Sequence, residues 1–300
     1  MKEHMTGPAK ALRYGIIVNP AAGMESLKRR KHLIADCADI LGKDTLVDGW
    51  ETESAEELVD CARQLAEKVD VLVVAGGDGT LSDIMDPLSR ETVLAYIPMG
   101  TGNAWRSTLE LPFSRRRTAR RIKDGREHGV DLILVDSRTR GILASVGFEG
   151  HALGERKKFL KKGVEGFDSY FRATAKLILS GYEGQDVRVK VDQKTYTVRR
   201  AISLIVTKTP YYGFGLKVVP KASIDDGLLH VMMISADPGA VISNIVDSFT
   251  SGNALGQYLT CKRVSIETAA KMPLQVDGNL VREGTRFRFR VLPSALRMRY

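Results

Sequence analysis

Hydrophobic and polar positions follow two different patterns along this chain, and the change falls near residue 136. In the first part, short continuous apolar runs alternate with stretches of helical spacing. Tyr14–Val18, Val71–Ala75 and Val93–Ile97 are the continuous runs, and a weaker strand is expected near Thr45–Val47. Runs without alternation predict strands covered on both faces, hence a parallel sheet between helices. Leu27, Ile34, Cys37, Ala38 and Leu41 recur at the spacing of a helix face. Ser54-Ala55-Glu56-Glu57 is a capping box ahead of Leu58, Ala62, Leu65 and Ala66. Leu81–Leu88 predicts a third helix. Strands alternating with helices argue for a doubly wound α/β domain, in which ligands bind outside the carboxyl ends of the strands.

Beyond about Asp136, alternating and β-branched runs take over: Val187–Val191, Tyr196–Val198, Ile202–Val206, Leu229–Ile234, Val264–Ile266 and Phe287–Val291. They predict a β-rich second domain. Helices are expected there only over Phe167–Leu179 and 239–251. No internal repeat or low-complexity segment interrupts the pattern.

Charge sharpens this division. Residues 1–135 carry 19 Lys and Arg against 21 Asp and Glu, whereas residues 136–300 carry 26 against 15. The basic excess of the second part suggests an anionic partner on one side of the molecule. A further basic cluster, Arg115 to Arg126, lies in the first part. No helix-turn-helix, zinc finger or aromatic-rich RNA motif accompanies the charge, so nucleic acid is not the expected partner. An anionic membrane surface is. Cys37, Cys61 and Cys261 are odd in number and far apart; Cys37 and Cys61 are read as buried thiols of a reducing compartment. No signal peptide and no apolar run of spanning length are visible.

Three loops follow the predicted strands, and each is rich in small residues. Asn19-Pro20-Ala21-Ala22-Gly23 follows the first, Gly76-Gly77-Asp78-Gly79-Thr80 the third, and Pro98-Met99-Gly100-Thr101-Gly102-Asn103 the fourth. Glycines permit positive φ and close approach of backbone to a ligand. Turns that present several N–H groups form anion nests, and a following helix N-terminus favours phosphate. Together the loops predict a crevice for a polyphosphate. Neither a Walker A pattern nor a Gly-x-Gly-x-x-Gly fingerprint is present. Asp78, a carboxylate among glycines beside a phosphate, suits a Mg²⁺ ion, which takes one or two carboxylates plus substrate phosphates. A turn-forming Asp is the alternative reading.

These segments, with Asp83, Val146-Gly147-Phe148, Pro210–Gly213, Ala222–Leu229 and Val276-Asp277-Gly278, resemble the bacterial lipid kinases of the diacylglycerol kinase catalytic family. Those are relatives of sphingosine kinases and, more distantly, of NAD kinases. The motifs run in the family's order from about Tyr14 to Tyr300. The resemblance implies an α/β, NAD kinase-like nucleotide-binding domain over residues 10–135 plus about 292–300. A β-sandwich domain over 136–291 would follow, with the last strand returning to the first domain. It implies ATP on Gly76, Gly77, Asp78, Gly79 and Thr80, with Thr52, Gly100, Thr101 and Asn103 nearby and Asn19 and Gly23 on the adjoining loop. Asp277 matches the proton acceptor for the lipid hydroxyl. Ser223-Ile224-Asp225-Asp226-Gly227-Leu228 matches a structural Mg²⁺ loop, in which the Asp226 carboxylate and the carbonyls of Ser223 and Leu228 would be ligands. Residues alone read Asp225-Asp226-Gly227 as a hairpin turn.

The expected activity is therefore an ATP- and Mg²⁺-dependent transfer to a diacylglycerol-like membrane lipid, by a cytoplasmic protein peripheral to the inner face of the membrane. Lys157, Lys158, Lys161 and Lys162, with Phe159 and Leu160, are the expected membrane contact. A homodimer is left open. An NAD kinase-like enzyme and a non-catalytic membrane- or nucleotide-binding relative are the alternatives. The chain departs from the family pattern in three places. Asn279 stands where Glu is usual after Asp277-Gly278, Ser82 stands where Asn is usual, and Ala104 where Asp is usual.

Overall fold

A computed structural model describes residues 11–88, 92–235 and 247–300 of the chain. Its first half is a strand–helix alternation. The elements are β1 (Tyr14–Val18), α1 (Leu27–Leu41), β2 (Leu46–Asp48), α2 (Ala55–Ala66), β3 (Val71–Gly76), α3 (Asp78–Met85), β4 (Val93–Pro98), α4 (Ala104–Thr108) and α5 (Arg115–Asp124). β4, β3, β1 and β2 lie side by side in that order, all parallel. β1, β3 and β4 are buried at every position, which is why their sequences do not alternate. Ile17, Val74 and Tyr96 pack with α2 and α3 on one face; Ile16, Val73 and Ala95 pack with α1 and α5 on the other. Two-sided cover makes the sheet doubly wound, as the sequence predicts.

The second half comprises β5 (Glu127–Val135), β6 (Thr139–Gly141), β7 (Leu143–Gly147), α6 (Phe148–Leu160), α7 (Gly166–Leu179), β8 (Gln185–Val191), β9 (Lys194–Ala201), β10 (Ser203–Thr207), β11 (Leu229–Ile234), β12 (Gln257–Cys261), β13 (Arg263–Val276) and β14 (Asn279–Arg299). Its strands pair antiparallel, apart from one strand end. Val189, Leu204, Val231, Ile266 and Phe289 supply one shared core. β8 alternates buried and exposed residues, which matches its one-sided cover.

β14 joins the halves. Its first part pairs antiparallel with β13 and β5, and its end pairs parallel with β4 through Arg297 and Met298. The register with β5 shifts between Leu292 and Leu296. Pro293 offers no N–H there, and Ser294 takes a left-handed φ of 45°. The resulting bulge redirects one strand from one sheet region into the other.

Several expectations need correction. α6 is absent from the sequence reading, because charged residues interrupt any apolar stripe. It forms where Gly147 turns at φ 112° and Gly150 lies so close to Pro273 that a Cβ would sit 2.8 Å from the proline ring. Lys157 and Lys158 belong to the end of this helix, and Lys161 and Lys162 follow it in a turn; all four are exposed. Cys61 is half-buried, unlike the buried Cys37 and Cys261. Helix α3 begins at Asp78 and stops at Met85, ahead of Pro87. Of the helix expected over 239–251, residues 239–246 lie outside the described residues; residues 247–249 are helical.

Candidate active site

Parallel strands bring their carboxyl ends to one edge, and the glycine loops meet there. Gly23, at φ 81°, lies against the loop after β4: a Cβ at this position would stand 2.4 Å from the Met99 carbonyl oxygen. A Cβ on Gly100 would stand 2.7 Å from the Gly77 Cα. Only residues without side chains permit that approach. Asn19 donates from Nδ2 to Thr80 Oγ1 at 2.8 Å, tying the first loop to α3. Asn103, at φ 48°, donates to the Gly100 carbonyl at 2.6 Å and accepts from the buried Tyr96 hydroxyl. Thr101 is exposed at the tip of its loop. Thr52 sits on the loop after β2 and donates to the Gly49 carbonyl at 2.8 Å.

The first turn of α3 follows Gly77, and no side chain caps it. The first N–H groups of an α-helix have no partner within it, so this end is suited to an anion. Asp78 lies in that turn but is aimed elsewhere. Its carboxylate accepts from the Ala104 N–H at 2.8 Å and from the Trp105 N–H at 3.1 Å, so it caps α4. Burial raises its pKa, and these two N–H bonds only partly oppose the rise. Each oxygen retains acceptor capacity. A half-buried carboxylate with no cationic partner among the described residues fits a site that receives a cation with its ligand.

Asp277 occupies the two-residue turn between β13 and β14, with φ of 48° at Asp277 and 85° at Gly278. Paired positive φ values make a type I′ hairpin turn, for which Asp-Gly is a favoured pair. The side chain folds back over the start of β7. It accepts from Leu143 N–H at 2.9 Å, from Ile142 N–H at 3.2 Å, and from the Ser82 hydroxyl at 2.8 Å. Gly141 leaves room for it, since a Cβ there would lie 2.8 Å from Asp277 Oδ2. Burial pushes the carboxyl up to about 7, against the Ser82, Leu143 and Ile142 bonds that lower it, and the Asp78 charge adds to the rise. A cavity of about 530 Å³ opens onto Ser82 and Asp277, walled by Glu56, Asp86 and Arg140. Asn279 faces the same cavity and is exposed.

The Ser223–Leu228 loop does not fit the metal that the resemblance implies. Lys208, fully buried, places its ammonium 2.6 Å from Asp226 Oδ1 and 2.5 Å from the Leu228 carbonyl oxygen. Those are two of the three proposed ligand groups. Ser223 donates its N–H to His230 Nε2 at 3.0 Å. The sequence reading missed Lys208; the signal available was a lysine directly after the β-rich run Leu204–Thr207. Ser82 was noticed only as a departure, not as the partner of Asp277. Glu149 was missed as well. It is half-buried at the start of α6, accepts from Ser203 Oγ at 2.6 Å, and has its pKa raised by desolvation.

Known proteins share the sequence pattern and the fold. The model of the diacylglycerol kinase catalytic domain matches residues 13–135. That of the YegS C-terminal NAD kinase beta sandwich-like domain matches residues 160–300. A "Diacylglycerol kinase" of Staphylococcus carnosus is 28% identical over 271 residues, covering 88% of this chain and 87% of its own. A "Probable lipid kinase YegS-like" of Stenotrophomonas maltophilia is 32% identical over 270 residues, covering 83% and 84%. The crystal structure of a diacylglycerol kinase from Bacillus anthracis superposes with a TM-score of 0.75 at 21% identity, covering 98% of each chain, and so shares the fold. The chain belongs to the family of lipid kinases built on the diacylglycerol kinase catalytic domain.

Proposed function

We propose that this chain transfers the γ-phosphoryl group of ATP to the hydroxyl of a diacylglycerol-like membrane lipid, with Mg²⁺ accompanying the nucleotide. The observation that carries the reading is the half-buried Asp277 carboxyl, pushed up to about 7 and opening onto a cavity beside the uncapped α3. A general base is most effective when its pKa lies near the working pH. Phosphoryl transfer otherwise asks a protein mainly for positioning and charge neutralisation. The loops at Asn19–Gly23, Gly76–Thr80 and Gly100–Asn103 would position the phosphates, with Thr52 on the adjacent loop. Asp78 would hold the bound Mg²⁺, which supplies neutralising charge for the β- and γ-phosphate oxygens. Asp277, with its remaining acceptor capacity, would take the lipid hydroxyl proton, while Ser82 keeps its carboxylate oriented.

A lipid substrate requires contact with a bilayer. Phe214 donates its N–H to the Gly102 carbonyl at 2.7 Å, beside the nucleotide loops. From it an aromatic cluster runs outward through Phe167, Phe171 and Phe249, which are 40–56% exposed. Lys157, Lys158, Lys161 and Lys162 lie exposed on and after the nearby α6, which packs against α7. Aromatic side chains beside lysines suit an anionic surface, at about 1 kcal/mol per well-placed basic residue.

The test is ADP release from ATP with diacylglycerol in anionic vesicles, in neutral vesicles, or with NAD⁺ as acceptor. Diacylglycerol-dependent turnover that needs Mg²⁺ and disappears in Asp277→Asn supports the proposal. Turnover with NAD⁺ alone sinks it, and equal rates on neutral and anionic vesicles sink the docking part.

A further inference from the structure

The cation of the Ser223–Leu228 loop is built into the polypeptide. We propose that the Lys208 ammonium is a permanent replacement for a structural divalent cation, so that the fold needs no metal at this loop. An ammonium has three N–H donors and no acceptor. At Lys208 each has a partner: Asp226 Oδ1 at 2.6 Å, the Leu228 carbonyl at 2.5 Å, and Asp131 Oδ2 at 3.0 Å. Lys208 is 0% exposed and Asp131 2%. Two carboxylates and a carbonyl oxygen converging on one buried point are what a hard cation would bind. Here a side chain occupies that point.

Most other acceptors of the node are used as well. Asp226 Oδ1 takes the Leu228 N–H at 3.1 Å, and Asp226 Oδ2 lies 3.1 Å from His230 Nε2, the nitrogen that accepts the Ser223 N–H. Asp131 Oδ2 takes the Gly227 N–H at 2.7 Å, and Asp131 Oδ1 takes the Ser294 N–H at 2.8 Å. Ser294 lies in the bulge where β14 passes from the second half to the first. One lysine thus braces β5, the end of β10, the 223–228 loop and the crossing strand. A divalent ion could enter only by expelling an ammonium whose side chain is fully buried, past Asp226, the one carboxylate of the node that reaches solvent. Leaving a buried charge without its partner is strongly unfavourable.

Thermal unfolding without nucleotide tests the proposal. Wild-type Tm should be the same in EDTA and in millimolar Mg²⁺ or Mn²⁺. Lys208→Asn leaves Asp131, Asp226 and the Leu228 carbonyl without a cation. It should unfold about 5–10 °C lower in EDTA and regain much of that in Mg²⁺, because a ligand of the folded state raises Tm. Two results would overturn the proposal. One is a wild-type Tm raised by Mg²⁺ through a response that Asp226→Asn removes. The other is a folded Lys208→Asn that is indifferent to Mg²⁺. If Lys208→Asn does not fold in either buffer, metal analysis of gel-filtered wild type decides. A chain without a bound equivalent supports the proposal, and an equivalent lost in Asp226→Asn overturns it.

Discussion

Ser82 Oγ donates to Asp277 Oδ2 at 2.8 Å, joining α3 of the first half to the β13–β14 turn across 195 residues of sequence. This bond connects the helix that begins at the glycine loop to the carboxylate assigned as base. It favours the ionised form of a group that burial drives the other way. Ser82→Ala should therefore move the acidic limb of the rate profile upward by about one pH unit, with activity down about fivefold at pH 7 and nearly restored at pH 9. A uniform loss at every pH would show that Ser82 acts on something other than the ionisation of Asp277.

The same burial links stability to pH. The folded-state value of Asp277, about 7, lies above the ordinary carboxyl value, so the fold binds this proton more tightly than the unfolded chain does. The cost of ionising it is absent below pH ~4, grows between ~4 and ~7, and is complete above, at on the order of 4 kcal/mol. Asp277→Asn should remove that cost. The Tm of wild type relative to the variant should fall as pH rises from 5 to 8. Parallel Tm curves for the two proteins would contradict the raised value.

Asp78 serves the fold beside its proposed role at the metal–phosphate site. Sequence alone suggests that Asp78→Asn would leave stability unchanged. The bonds to Ala104 and Trp105 change that expectation. An amide keeps one acceptor oxygen and turns an NH₂ group toward the other N–H. The loss of a cap costs about 1 kcal/mol, or about 2–4 °C in Tm for a chain of this size. Lipid phosphorylation should fall far more steeply than that. Calorimetry beside the turnover assay separates the two effects, and retention of most activity would remove Asp78 from the metal–phosphate site.

Asn279 stands exposed at the cavity, where the family pattern has Glu. The wall already carries Glu56, Asp60, Asp83 and Asp86 against Arg63 and Arg140. Asn279→Glu should raise the rate at saturating Mg²⁺ and steepen its dependence on Mg²⁺, because the added carboxylate needs a counter-ion. A like charge nearby should also move the pH limb of Asp277 upward. Initial rates against Mg²⁺ concentration at two pH values measure both. A slower variant throughout would mean that Asn279 is adapted to this chain's own substrate.

What the sequence determined here was local and periodic. Continuous apolar runs are possible only where strands are covered on both faces, so β1, β3 and β4 were legible almost to the residue. Glycines at strand ends marked the loops, because steric freedom is a property of the residue itself. Helix α6 was not legible, since its interior side consists of small contacts such as Gly150 against Pro273, without an apolar stripe. The tertiary structure alone decided the pairings across long separations. Asp78 became the cap of α4 because Gly77 and Gly100 bring two loops into contact. Asp277 acquired its high pKa by folding over β7 beneath Ser82. Lys208 took the place of a cation because the end of β10, Asp131 and the 223–228 loop converge on one buried point. A charge at the end of an apolar strand carries no label of its partner. Burial forces it to find one, and only the packed chain shows which.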